Sequence, residues 1–394
     1  MAYLLKKHLQ SKRIPILHRV FLSIAAVTAG LSGTVLATTQ PPKVASTSGV
    51  SCALHDNKTA QLAQSTLPQL QKLAEYEEAC SGMVTDTTMI FTRMPSSADD
   101  ATQLSHEMAG HLTEFNSYNI QPLIILEPVT NEGPVNFGEY QQGKYDSYMQ
   151  TYFQNLKTQG ITDVMMGTWV PFPEPNIPEW DNTTIEAAVT NIMKTIALQK
   201  EHFPTSKASV LLNSMSYPPD NSTWNGGEYK SLIPYITNIP KGLVDSFGYQ
   251  GFPWSPPQNE GVLSQANLSA SNFLQSGLAI EAAKELGVTK IWLNTGSFSR
   301  SYANDPGQQV TVSSEKRGEI LQSIIKEAQE IQNAGFTTAI HLFAEDKSAM
   351  SEGVDWSYWR TGQADSSPDT QNFKTFVATA RESNFQFWLF DAKH

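Results

Sequence analysis

From Gly49 onward, short apolar runs alternate with longer amphipathic segments, and this alternation limits the fold more than any other feature of the chain. A short apolar run bounded by turn residues suits a buried parallel strand, and the amphipathic segment after it suits the helix that carries the chain back. The pattern predicts strands at 49–54, 88–92, 123–126, 162–166, 209–212, 243–248, 290–293 and 338–343. Predicted helices fall between them at 67–79, 99–118, 145–158, 185–199, 228–235, 271–286 and 314–333, with a last one at 372–383. Asp99 and Asp100 favour the start of one helix, and Gly287 the end of another. Eight such units predict an α/β fold of the (β/α)8 barrel type, one domain over residues 49–394. The sequence has no Gly-rich strand-to-helix turn of the nucleotide-binding kind, so an open doubly wound sheet fits less well.

In such a barrel the chemistry lies in the loops after the strands. The polar residues placed there are Glu127 after the third strand, Glu174 after the fourth, Asn294 after the seventh, and Glu345 with Asp346 after the eighth. Tyr249 and Trp254 follow the sixth strand, and Trp169, Trp180, Trp356 and Trp359 add aromatic surface at the same end. The stretch 168–180, TWVPFPEPNIPEW, sets Glu174 between two prolines, beside Asn176 and among aromatic rings. Proline fixes φ and lacks an N–H, so this segment cannot continue a helix or lie in a central strand. An acid held in apolar surroundings keeps its proton toward neutral pH, and flat rings offer faces to the C–H side of a pyranose. Trp169, Asn176, Tyr249, Trp254, Glu127, Asp346 and Trp356 are therefore candidate contacts for a sugar.

The amino-terminal end lies outside this pattern. Lys6, Lys7, Lys12, Arg13 and Arg19 lead into an apolar stretch over 21–37 that ends Val35-Leu36-Ala37, which predicts a secretory signal peptide over residues 1–37. A Pro/Ser/Thr-rich linker follows over 38–48. The protein is thus expected to be secreted or held at the cell surface, with a membrane link only through an uncleaved leader. The whole chain has 27 basic and 38 acidic residues; without the five leader cations 22 basic ones remain, for a net charge of about −16. Such a charge argues against nucleic acid as a partner. Only two cysteines occur, Cys52 and Cys80, and in an oxidising compartment they can pair as a disulfide. No His or Cys group has metal-ligand spacing, and there is no phosphate loop or nucleophile elbow, so neither metal nor cofactor is expected.

Several short pieces resemble glycoside hydrolase family 26, barrels that act mainly on β-mannans and related β-glycans. They are PLIILEP at the third strand, EPN at the fourth, VDSFGYQGF at the sixth, LNTGS at the seventh and VDWSYWR after the eighth. The family's acid/base glutamate follows the fourth strand in a Glu-x-Asn setting, and Glu174-Pro175-Asn176 matches it. Its nucleophile is a glutamate after the seventh strand, where this sequence reads Asn294-Thr295-Gly296; the residue before Glu174 is Pro173, where the family tends to carry histidine.

The resemblance implies an oligo- or polysaccharide partner and Glu174 as general acid; a monomer is expected, though the sequence does not fix the oligomeric state. An amide is uncharged and cannot form a glycosyl-enzyme ester, so Asn294 removes the usual double displacement. Two activities stay open. In one, a hydrolase uses Glu345, Asp346 or Glu127 to activate water, Glu345 being preferred because the eighth strand adjoins the seventh, or lets the substrate's own substituent attack while Asn294 orients it. In the other, the barrel binds glycan without catalysis; outside both stands a barrel enzyme of unrelated chemistry.

Overall fold

The computed structural model describes residues 87–117, 119–176, 184–214, 231–253, 269–297, 301–302, 310–342, 346–347, 354–355 and 367–383. The predicted leader, linker and first strand, the helix at 67–79, and Cys52 and Cys80 lie outside the described residues.

Seven strands form one sheet: β1 (Thr87–Arg93), β2 (Gln121–Glu127), β3 (Thr168–Pro171), β4 (Lys207–Asn213), β5 (Ser246–Gly251), β6 (Lys290–Thr295) and β7 (Thr337–Leu342). Each pairs in parallel with the next in sequence, which is the strand order of a (β/α)8 fold, and the chain adopts that fold. Helices α1 (Ala98–Ser117), α2 (Phe137–Gln141), α3 (Asp146–Thr158), α4 (Ile185–His202), α5 (Ile233–Thr237), α6 (Ala270–Phe273), α7 (Ser276–Leu286), α8 (Ser314–Asn333) and α9 (Pro368–Glu382) complete the units. Side-chain oxygens begin the long ones: Thr184 accepts from the Ala187 amide at 3.1 Å and Ser313 from that of Lys316 at 3.1 Å.

Strand side chains alternate between two packed layers. Ile124, Trp169, Val210, Phe247, Tyr249, Ile291, Leu293 and Ile340 face the helices and join one large apolar cluster with them. Met89, Leu123, Ile125, Val170, Leu211, Trp292 and Ala339 form a second, smaller cluster inside the sheet. Trp292 fills much of that interior. Its indole donates to Ser209 Oγ at 2.9 Å, and a Cβ on Gly248 would stand 2.3 Å from its ring, so only glycine fits beside it.

The fourth expected strand is displaced. Val164 and its neighbours form a turn, with Val164 65% exposed, and the strand is Thr168–Pro171 itself. Gly167 makes the change at φ +57°, in a place where a Cβ would lie 2.2 Å from the Pro122 carbonyl oxygen. The helix expected at 271–286 is likewise two helices, parted at Gln275, whose φ is +48°.

Candidate active site

The C-terminal strand ends carry a belt of polar residues on the inward face. By strand phase, Glu127, Asn213, Asn294 and His341 point the same way as the interior residues Ile125, Leu211, Trp292 and Ala339 two positions before them, Arg93 shares the phase of interior Met89, and Gln250 that of Gly248 beside Trp292. Register keeps them at one level: Arg93 is opposite Glu127, Asn213 opposite Gln250, Gln250 opposite Asn294, and Asn294 opposite His341. Glu174 enters from the loop after β3.

That loop is held at several points. The Phe172 N–H bonds the Leu126 carbonyl at 2.9 Å and the Glu174 N–H bonds that of Leu211 at 2.7 Å, which ties the loop to β2 and β4. Asn176, fully buried, donates to the Asn213 carbonyl at 2.9 Å and accepts from the Asn213 N–H at 2.9 Å. Tyr235 of α5 donates to the Pro175 carbonyl at 2.9 Å. These bonds hold an unfavourable backbone. Phe172 and Glu174 both have positive φ, 50° and 53°, and both precede prolines. Each such residue costs on the order of 1 kcal/mol or more, and strain of this kind collects where a side chain must be aimed. The side chain so aimed is half-buried and accepts from Asn213 Nδ2 at 2.8 Å.

Glu127 keeps some surface at the barrel mouth yet is set deep in the protein mass. Burial, first, and the charge of Glu174, second, push its carboxyl up to about 7. Arg93, its register neighbour, is engaged elsewhere: the guanidinium forks onto both carboxylate oxygens of Asp100 in α1, at 2.6 Å each. Burial raises Asp100, but the bonds from Arg93 and Ser96 outweigh it and hold that carboxyl below its usual range.

Across the belt, Asn294 is 8% exposed and donates Nδ2 to Gln250 Oε1 at 2.5 Å. Its Oδ1 is buried without a hydrogen-bond partner. Beneath it lies Trp292, whose ring meets that of His341 edge-on at 5.2 Å between centroids.

Of the residues expected at the site, Glu174, Glu127 and Asn294 lie in or beside this belt. Three do not serve as expected. Trp169 and Tyr249 are fully buried on the helix side of their strands, Trp169 against Phe153 and Tyr249 against Phe247, because inward and outward positions alternate and these residues fall on the outward phase. Asn176 spends its amide on the β4 backbone and presents none of its surface to a ligand. Trp254, Trp356 and Glu345 lie outside the described residues, as do Trp180 and Trp359. Asp346 is described by its backbone, which pairs with Asp355 in a short antiparallel hairpin. Asn213, Gln250 and His341 were not foreseen. Period-two counting back from the belt to Leu211, Gly248 and Ala339 is the signal that marks them.

No protein-family model matches the chain, and no curated protein sequence matches it. Among solved structures, the fold is similar to exo-β-1,4-mannosidase Op5Man5 from Opitutaceae bacterium strain TAV5, with TM-score 0.53, 12% identity and coverage of 85% of this chain and 59% of that one. It is also similar to the virulence factor SghA, solved with its substrate analogue salicin, with TM-score 0.50, 10% identity and coverage of 82% and 86%. At such identities the likeness is one of fold, and this chain spans 59% of the mannosidase's length.

Proposed function

We propose that this is a glycoside-hydrolase-like protein that takes β-linked oligo- or polysaccharide across the polar belt, with Glu174 as general acid. The observation that carries this is the pair of carboxyls at the barrel mouth: burial, first, and the charge of Glu174, second, raise Glu127 to about 7, so one of the two holds a proton near neutral pH. Glu174, half-buried and strained into place, is the member we set against the leaving oxygen; Glu127 holds the proton when the cleft is empty and is the group that passes it to Glu174 once substrate is bound. The fold shared with a mannosidase and the sequence pieces resembling family 26 support a mannan or related β-glycan as the class of ligand. The leader over residues 1–37 supports export, and Cys52 with Cys80 a disulfide in the exported domain over 49–394.

A second reading rests on one observation. Asn294 occupies the strand end where a carboxylate nucleophile would stand, and its amide is bonded to another amide. A barrel that binds glycan without cleaving it would look the same there. Reducing-end release and calorimetric binding, measured for wild type and Glu174→Gln on soluble β-mannan, β-glucan and N-acetylated chito-oligosaccharides, separate the two. The hydrolase reading expects release that falls at least about 100-fold in the variant. Background release from both proteins with binding retained would leave the binding reading alone.

A further inference from the structure

Among the described residues, neither β6 nor β7 ends in a carboxylate, yet that side of the mouth is not without a function. Glu174 follows β3 and Asn294 ends β6, three strands further round the sheet, so the two face the mouth from different sides. Retention at a glycosidic carbon needs an attacking atom on the face away from the acid. Asn294 cannot be that atom, yet it is built to hold one. Gln250 fixes its Nδ2 at 2.5 Å, and Oδ1 is left as a buried acceptor without a partner, on a side chain 8% exposed. A desolvated acceptor left unsatisfied is unfavourable, and an N–H donor of a bound ligand would satisfy it.

The geometry points to a substrate that brings its own nucleophile: a β-linked 2-acetamido-2-deoxy sugar whose amide N–H is received by Asn294 Oδ1. This rests on the glycoside-hydrolase-like reading above and narrows its substrate class. The acetamido carbonyl oxygen attacks C1 and forms a C1–O bond to give a cyclic oxazolinium. The C1–O bond to the leaving sugar breaks, and its electron pair takes the proton of Glu174. Asn294 stabilises the N–H as it gains positive charge. Water then attacks C1, gives its proton to the Glu174 carboxylate, and the ring opens to restore the acetamido group. Asn294 is the positioning residue of this cycle and forms no bond of its own.

The test uses the full chain with N-acetylated chitotriose, its fully deacetylated counterpart and mannotriose, and a thiazoline analogue of the cyclic intermediate as inhibitor. Expected are cleavage of the acetylated sugar at least about 100-fold faster than of the other two, competitive inhibition by the thiazoline, and a kcat loss of about 100-fold in Asn294→Ala with a much smaller change in KM. Asn294→Asp, which keeps the acceptor, should recover part of that loss, while circular dichroism shows that both variants fold. Cleavage of mannotriose or the deacetylated sugar at equal or higher rate would overturn the acetamido mechanism and leave the hydrolase reading standing. No cleavage of any sugar and no thiazoline binding would overturn both.

Discussion

Asn213 donates its side-chain amide to a carboxylate oxygen of Glu174 across 2.8 Å, while its own backbone is clasped on both sides by Asn176. One residue at the end of β4 thus fixes the acid and is itself fixed by the acid's loop. Asn213→Ala removes the bond to the carboxylate and leaves the clasp, which uses only backbone atoms of residue 213. A hydrogen bond to a charged group is worth roughly 1.5–3 kcal/mol, so glycan turnover should fall by about 10-fold or more with the melting temperature little changed. Unaltered turnover would show that Glu174 is aimed by its backbone alone.

Asn176→Ala should act the other way round, on stability first. It removes one bond from the part-buried Asn213 N–H and one to the Asn213 carbonyl, and frees a strained loop. A loss of about 3 kcal/mol in urea unfolding is expected. A loss below about 0.5 kcal/mol would mean that the loop closes equally well without the clasp.

Glu127 makes stability depend on pH. Its folded carboxyl is raised from 4.5 to about 7, so between those values the folded state binds more protons than the unfolded one. Stability contributed in this way is present in full below the unfolded value, declines as pH rises from about 4.5 to about 7, and is flat above. The shift corresponds to at most about 3 kcal/mol. Glu127→Gln, neutral throughout, should abolish that slope and be the more stable protein at pH 8; parallel pH profiles for the two proteins would contradict the assignment.

Gly248→Ala places a methyl group against the Trp292 ring, 2.3 Å from its nearest atom. The indole must tilt and strain its 2.9 Å bond to Ser209. Overpacking of this kind costs about 1–3 kcal/mol. Thermal melting should register the loss together with a shift in near-ultraviolet circular dichroism, and a variant identical to wild type by both would show free space that the geometry denies.

Arg317 and Asp369 form a buried ion pair at 2.7 Å that joins α8 to the start of α9, with Ser297 after β6 accepting from the same guanidinium at 3.3 Å. Asp369→Asn removes this negative charge from beside a buried cation. The expected destabilisation is about 3–5 kcal/mol, measured by denaturant unfolding. A change under about 1 kcal/mol would place the pair in contact with water.

The sequence alone carried the strand order, because apolar runs and amphipathic helices differ in period and their alternation survives the loss of every tertiary detail. The helix 314–333 agrees with its predicted bounds to the residue. Phase was harder. Val164-Met165-Met166 has the composition of a strand, yet the turn at Gly167 delays the strand to Thr168, and that short delay decides which side Trp169 faces. Tyr249 shows the same difficulty at a strand where the polar neighbour, Gln250, is the inward residue. Asn176 matched a family motif, and its use as a clasp depends on Asn213, 37 positions away, which local spacing cannot reveal.

Trp292 has one more consequence. Because its indole packs against Gly248 and bonds Ser209 directly under the belt, the described strands leave no open channel along the barrel axis at that level. Under the proposed glycan reading, a polymer would therefore be laid across the belt and not threaded through the barrel, and would leave over the rim by which it arrived.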